Sequence, residues 1–185
     1  MNEKLILLFL LLSFVKLSTV KHSEEIWQKF QQYSEEGQLL VESRDYFIFD
    51  ESDYLSDVNN AKLTNLYRLQ KDFYYKYGIK NYIFFIDYLG DETIESFTDD
   101  LFYFIDREFS PNMANSMITV IPIKDRLIRI QLGTKTNYKY DDRALDIIIS
   151  NLGPYLRAGD FYGGVKELLN GFKYYYMRSF DYDDY

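Results

Sequence analysis

The side chains best suited to chemistry in this sequence are acids that follow short apolar runs. Asp50, Glu51 and Asp53 come after Tyr46-Phe47-Ile48-Phe49, and Asp87 with Asp91 comes after Tyr82-Ile83-Phe84-Phe85-Ile86. A further pair, Asp141-Asp142, follows the polar stretch that begins Gly133-Thr134-Lys135-Thr136. In an open α/β sheet, ligands bind beyond the carboxyl ends of the strands. If the apolar runs are parallel strands, Asp50, Asp87 and Asp91 fall on one rim, and Asp141 and Asp142 are expected to fold back towards it. Clustered carboxylate oxygens suit hard cations, so these five acids are the candidate metal ligands and Ca²⁺ or Mg²⁺ the candidate ions. The same residue types have a structural use, because Asp91, Asp141 and Asp160 also stand where helix N-caps belong. No catalytic residue and no substrate are assigned by these patterns, and no organic cofactor is expected.

Composition narrows the chemistry further. The chain of 185 residues has no Cys and one His, His22. Thiol catalysis, disulfides, Cys-based zinc sites and multi-histidine centres are excluded. Ser-His-Asp catalysis would have to rely on His22. No G-x-S-x-G elbow, P-loop or G-x-G-x-x-G is present, and Asp50-Glu51-Ser52-Asp53-Tyr54 lacks the glycine and distal glutamate of an EF-hand loop. With 29 acidic against 21 basic residues and a formal charge of -8, the chain is ill suited to nucleic acid or to direct docking on anionic lipid.

The elements that must position these acids follow from periodicity. Residues 23–33 read as a polar helical lead-in. Tyr46–Phe49 and Tyr82–Ile86 read as buried strands, joined by a helix capped at Ser56 and ending at Gly78. Asp91 and Glu92 are expected to open the next helix, which carries Ile94, Phe97, Leu101, Phe104 and Ile105 inward and continues through Phe109. Met117–Ile123 and Leu127–Leu132 read as a hairpin across Lys124-Asp125-Arg126. A helix from Asp141 is expected to stop at Gly153-Pro154, and a last helix, capped by Asp160, buries Val165, Leu168, Leu169 and Phe172. Gly163-Gly164 in that helix suggests close packing on the sheet. The predicted fold is an α/β/α sandwich, with a mostly parallel four-stranded sheet and one antiparallel hairpin.

The first 19 residues read differently. An eleven-residue apolar run, Leu5 to Val15, is too short for a spanning helix and fits the core of a secretory signal or an N-terminal anchor. The predicted organisation is therefore a signal or anchor over 1–19, a helical lead-in over 20–44, an α/β domain over 45–178 and an acidic tail over 179–185. The placement implied is extracytoplasmic, in a secreted or organelle-lumen setting.

This order of elements, with its punctuation, resembles the TPM domain family. The residues that carry the likeness are Phe49-Asp50 through Tyr54-Leu55-Ser56, Asn115-Ser116-Met117, Asp125-Arg126, Ile130-Gln131-Leu132-Gly133 and Gly159-Asp160-Phe161-Tyr162-Gly163-Gly164. The resemblance implies an α/β/α domain beside a membrane protein complex, whose subunits are its expected partners. It also implies calcium at the acidic rim, centred on Asp50, with Asp87 and Asp141 or Asp142 nearby. Three functions follow as expectations: a non-catalytic accessory domain, a metal-dependent acid phosphatase, or a structural subunit of an organellar membrane complex held by its N-terminus.

Overall fold

The computed structural model describes residues 20–37 and 43–179. The apolar leader and residues 180–185 of the acidic tail lie outside the described residues. Among the described residues, five α-helices and a four-stranded sheet form three layers. In chain order they are α1 (His22–Glu35), β1 (Tyr46–Asp50), α2 (Asn60–Tyr77), β2 (Lys80–Ile86), α3 (Ile94–Phe104), β3 (Ser116–Pro122), β4 (Arg129–Leu132), α4 (Asp142–Arg157) and α5 (Phe161–Arg178).

The sheet runs β1-β2-β3-β4. The first three strands are parallel, and β4 pairs antiparallel to β3. Ile48 sits opposite Ile83, which sits opposite Thr119. Because paired residues share a face, Tyr46, Ile48, Ile83, Phe85, Met117 and Ile121 point to the front. Phe47, Phe49, Tyr82, Phe84, Ile118 and Val120 point to the back. Every residue of β1 and β3 is buried, as expected of strands covered on both faces.

Helices α2, α4 and α5 cover the front, with Leu66, Phe73, Ile148, Leu152, Val165 and Phe172 in one core. Helices α1 and α3 cover the back, where Ile26, Trp27, Phe30, Phe97 and Leu101 meet the aromatic layer of the sheet. Phe30 is fully buried, its ring centroid 4.4 Å from that of Phe47 and 5.1 Å from that of Phe109. Burying a ring of this size stabilises the fold by roughly 1.5–3 kcal/mol. The expected lead-in is therefore a core element. The steps β1→β2 and β2→β3 run in one direction, yet α2 lies in front and α3 behind, so the two crossovers have opposite hands. A left-handed crossover is rare, at about 2% of such connections. Here α2, α4 and α5 share the front, and α3 joins α1 on the back.

Local differences from the sequence reading have identifiable causes. α2 begins at Asn60 rather than beside Ser56, because Asn59 supplies the cap, accepting from the Lys62 N–H at 3.0 Å. α3 begins at Ile94, capped by the Thr93 hydroxyl accepting from the Ser96 N–H at 3.2 Å, so Asp91 and Glu92 precede it. The helix ends as α-helix at Phe104 and continues as a π-helical turn, Ile105–Phe109. α4 runs through Gly153-Pro154 to Arg157. Pro154 has no N–H for the Ser150 carbonyl and so removes one hydrogen bond of the helix, yet the last turn continues and Leu156 packs on the core. The close approach at Gly164 is to α4, where an added Cβ would meet Leu152 Cδ1 at 3.1 Å, and not to the sheet.

β4 begins at Arg129, two residues later than its apolar pattern suggests. Pro122 is the reason. Ile123 donates its N–H to Ile86 at 2.9 Å, towards β2, so the neighbouring residue faces β4. Proline has no N–H to give there, and the ladder stops at the pair Val120↔Arg129. Beyond that pair the two arms of the hairpin part.

Candidate functional site

Asp50 is the last residue of β1, and only 7% of it is exposed. The chain turns back over it through Asp53, whose φ of 57° is left-handed. Its two carboxylate oxygens accept from the Tyr54 N–H at 3.0 Å and the Leu55 N–H at 2.7 Å. Burial raises the Asp50 pKa above the usual carboxylate value, and the Leu55 and Tyr54 N–H groups oppose the rise without cancelling it.

Asp87 follows β2 and is drawn to the same rim by the parallel register. The Tyr54 hydroxyl donates to one oxygen at 2.7 Å, and the Lys124 ammonium pairs with the other. Lys124 is placed by its own backbone, whose N–H donates to the Asp87 carbonyl at 2.9 Å. The Asp87 carboxyl is held well below its usual range, chiefly by Lys124, with further help from Ser52 and Tyr54. The Tyr54 hydroxyl is pushed up, first by burial and then by the Asp87 carboxylate.

Glu51 joins the two. One of its oxygens accepts the Asp87 N–H at 2.9 Å, and the other pairs with the Lys29 ammonium of α1 at 2.5 Å. Asp125 ties the hairpin tip to the β2–α3 loop by accepting the Leu89 N–H at 2.7 Å. Asp160 caps α5 at this end, accepting from the Gly163 N–H at 2.8 Å, and the Phe161 ring lies 5.2 Å from Tyr54.

The structure thus brings Asp50 and Asp87 together, with Tyr54 touching both. Asp91 lies beyond the left-handed Gly90, exposed, at the start of the loop into α3. Asp141 and Asp142 do not reach the rim, contrary to expectation. β4 runs antiparallel, so its end at Leu132 pairs with Met117 at the amino end of β3. The following loop stays there, with the Gly133 N–H donating to Ser116 at 2.8 Å. Asp141 serves as the N-cap of α4, accepting from the Ala144 N–H at 2.7 Å.

Lys29, Lys124 and Tyr54 are the rim residues that sequence reasoning left without a role. Only the pairing register could have exposed them. Asp50 opposite Phe85, and Ile86 opposite Pro122, set the residues after β1, β2 and β3 side by side.

The donor set does not fit a bound divalent cation. All six carboxylate oxygens of Asp50, Glu51 and Asp87 already face an N–H, a hydroxyl or an ammonium. Among the described residues, no group of three or more His, Cys, Asp or Glu is arranged to hold a metal ion. Calcium needs six to eight oxygens at about 2.3–2.6 Å, whereas Glu51 and Asp87 each already carry an ammonium partner.

The class these features define is a three-layer α/β/α domain, its sheet mostly parallel, with a polar network at the carboxyl ends of the strands. The TPM domain family model matches residues 48–175, and the chain belongs to that family. Two solution NMR structures of N-terminal domains share the fold. One is that of the cg2496 protein of Corynebacterium glutamicum, 17% identical, with a TM-score of 0.52 over 68% of this chain and 76% of that one. The other comes from a P. gingivalis protein, 19% identical, with a TM-score of 0.59 over 69% of this chain and 80% of that one. No curated protein matches the sequence significantly. Helix α1, which closes the back of the sheet, lies outside the residues the family model matches.

Proposed function

We propose that the chain is a non-catalytic TPM domain that acts as an accessory to a membrane protein complex on the extracytoplasmic side. The observation that carries this reading is the state of the rim. Its three acids are each engaged by N–H, hydroxyl or ammonium partners supplied by the chain itself, which is what a structural network requires. The network then acts as a staple. Glu51 joins α1 to the β2 end, Asp87 joins β2 to the hairpin, and Tyr54 leans on α5. The signal-like leader supports the extracytoplasmic placement, and among the described residues no helix is long and apolar enough to cross a membrane. Purification of the protein from its native membranes under mild detergent tests the reading. Stoichiometric recovery of membrane-complex subunits is expected, and recovery of none overturns it.

One feature favours a second reading as a phosphoric monoester hydrolase: Asp50 is a buried carboxyl with a raised pKa at a strand end, the kind of group that can donate a proton. Hydrolysis of p-nitrophenyl phosphate with added Mg²⁺ or Ca²⁺, abolished in Asp50→Asn, would establish that reading against the accessory one.

A further inference from the structure

At this end of the sheet the hairpin and α4 also carry basic side chains that the staple does not engage. Where Pro122 ends the β3–β4 ladder, the parted arms enclose an open groove of about 780 Å³ whose floor is the last turn of α4. Ile121, Ile128 and Leu156 form its apolar wall, continuous with the front core. Arg126 and Arg157 stand over it, and neither makes an ion pair among the described residues. No acidic side chain lines the groove, although acids outnumber bases 29 to 21 in the chain.

The backbone around the groove is tied down. Asp125 accepts the Leu89 N–H, and Arg126 takes a left-handed φ of 57° at the hairpin tip. Arg157 folds back over Gly153, where an added Cβ would stand 3.1 Å from Nη1.

We infer that this hairpin groove is the domain's docking site for a partner, and that the partner presents an extended peptide segment with an apolar side chain flanked by carboxylates. The apolar side chain continues the core between the arms, and the carboxylates meet the two guanidinium groups, which suit planar, bidentate pairing. Charge complementarity selects an acidic segment over a basic one. A peptide fits better than an acyl chain, because the groove is open along its mouth and would leave a hydrocarbon tail in water. This inference rests on the accessory reading, for which it names the surface and the chemistry of the partner.

The test uses the purified protein and three probes: an acetylated octapeptide alternating aspartate and leucine, one alternating aspartate and serine, and dodecanoate. Amide NMR titration is expected to show saturable shifts at residues 121–128 and 153–157 with the aspartate–leucine peptide alone. The double variant Arg126→Glu, Arg157→Glu is expected to bind about tenfold more weakly or worse, at an unchanged melting midpoint. Should that variant unfold, Leu127→Asp, at a side chain 44% exposed on the lip, gives the same loss of binding. Equal binding of the aspartate–serine peptide, retained affinity in the variants, or shifts with dodecanoate and not with peptide would each overturn the inference. The two proposals fail separately. Recovery of membrane-complex subunits without peptide binding removes only the groove, and peptide binding without such recovery removes only the accessory assignment.

Discussion

Replacing Asp50 measures whether the rim is a staple or a site. In Asp50→Ala two backbone N–H groups lose their acceptor. Leu55 is fully buried, so its N–H falls at the upper end of the roughly 1–3 kcal/mol cost of an unsatisfied buried donor, and that of the less buried Tyr54 falls lower. Removing a buried carboxylate returns part of this, and the expected net loss is about 3 kcal/mol. Asp50→Asn keeps one acceptor for the Leu55 N–H and turns an amide donor towards Tyr54, for an expected loss of about 1–2 kcal/mol. Urea unfolding followed by the fluorescence of Trp27, the only tryptophan and 3% exposed, reads both values. The pH dependence separates this account from a cation site. The native Asp50 pKa is raised, so between the unfolded and folded values the native state binds more protons, and stability from this group falls as pH rises. Asp50→Asn has no such titration. The wild-type advantage over Asp50→Asn is therefore expected to be largest near pH 4 and to shrink towards neutrality. An advantage that grows with pH, the mark of a carboxylate stabilised as its anion, refutes the reasoning, as does an Asp50→Ala loss below about 1 kcal/mol.

Asp87 titrates with the opposite sign. Its lowered pKa contributes stability above about pH 4 that is lost as pH falls. Lys124→Met is therefore expected to flatten the acid limb of an unfolding profile, while millimolar CaCl₂ leaves the wild-type melting midpoint unchanged by differential scanning fluorimetry. Glu92 caps α1 from outside, accepting the Ser23 N–H at 2.7 Å and the Ser23 hydroxyl at 3.0 Å. Glu92→Ala is expected to cost about 1–2 kcal/mol and to speed hydrogen exchange in the first turn of α1 before the rest of the fold opens. Gly133→Ala drives a Cβ into the carbonyl oxygens of Met113 and Ala114, which are backbone and cannot step aside. A loss of roughly 2–4 kcal/mol by urea denaturation is expected.

The strands and the inward residues of α5 were legible because burial writes itself into sequence as apolar runs and helical period. Phe172 and Leu168 needed no knowledge of their partners. Asp50 and Asp87 were legible as neighbours for a related reason, since a parallel sheet collects strand ends on one side. Asp141 was misplaced although the hairpin before it was legible: an antiparallel β4 delivers the next loop to the amino end of β3, away from the rim, and the expectation that Asp141 folds back overlooked that direction. The opposite hands of the crossovers were invisible, since nothing in the local pattern of α2 or α3 says which face of the sheet each covers. α1 was undervalued because its buried residues, Ile26, Trp27 and Phe30, are few among charges. The caps shifted for a simpler reason, because Ser56 and Asn59 are equally good caps three residues apart, and only packing chooses between them.

Why acids crowd this end follows from the same geometry. Strand ends leave backbone N–H groups without partners, and a carboxylate satisfies two at once, as Asp50 does for Tyr54 and Leu55. Two such carboxylates side by side repel, and a lysine from a neighbouring element relieves the repulsion at the cost of tying that element down. Lys29 does so for α1 and Lys124 for the hairpin. Each acid at the rim therefore fastens one layer to another. Beyond the point where Pro122 ends the ladder lie Arg126 and Arg157, which make no ion pair among the described residues. On the docking proposal, the group that meets these two guanidinium groups carries negative charge next to a hydrophobic side chain.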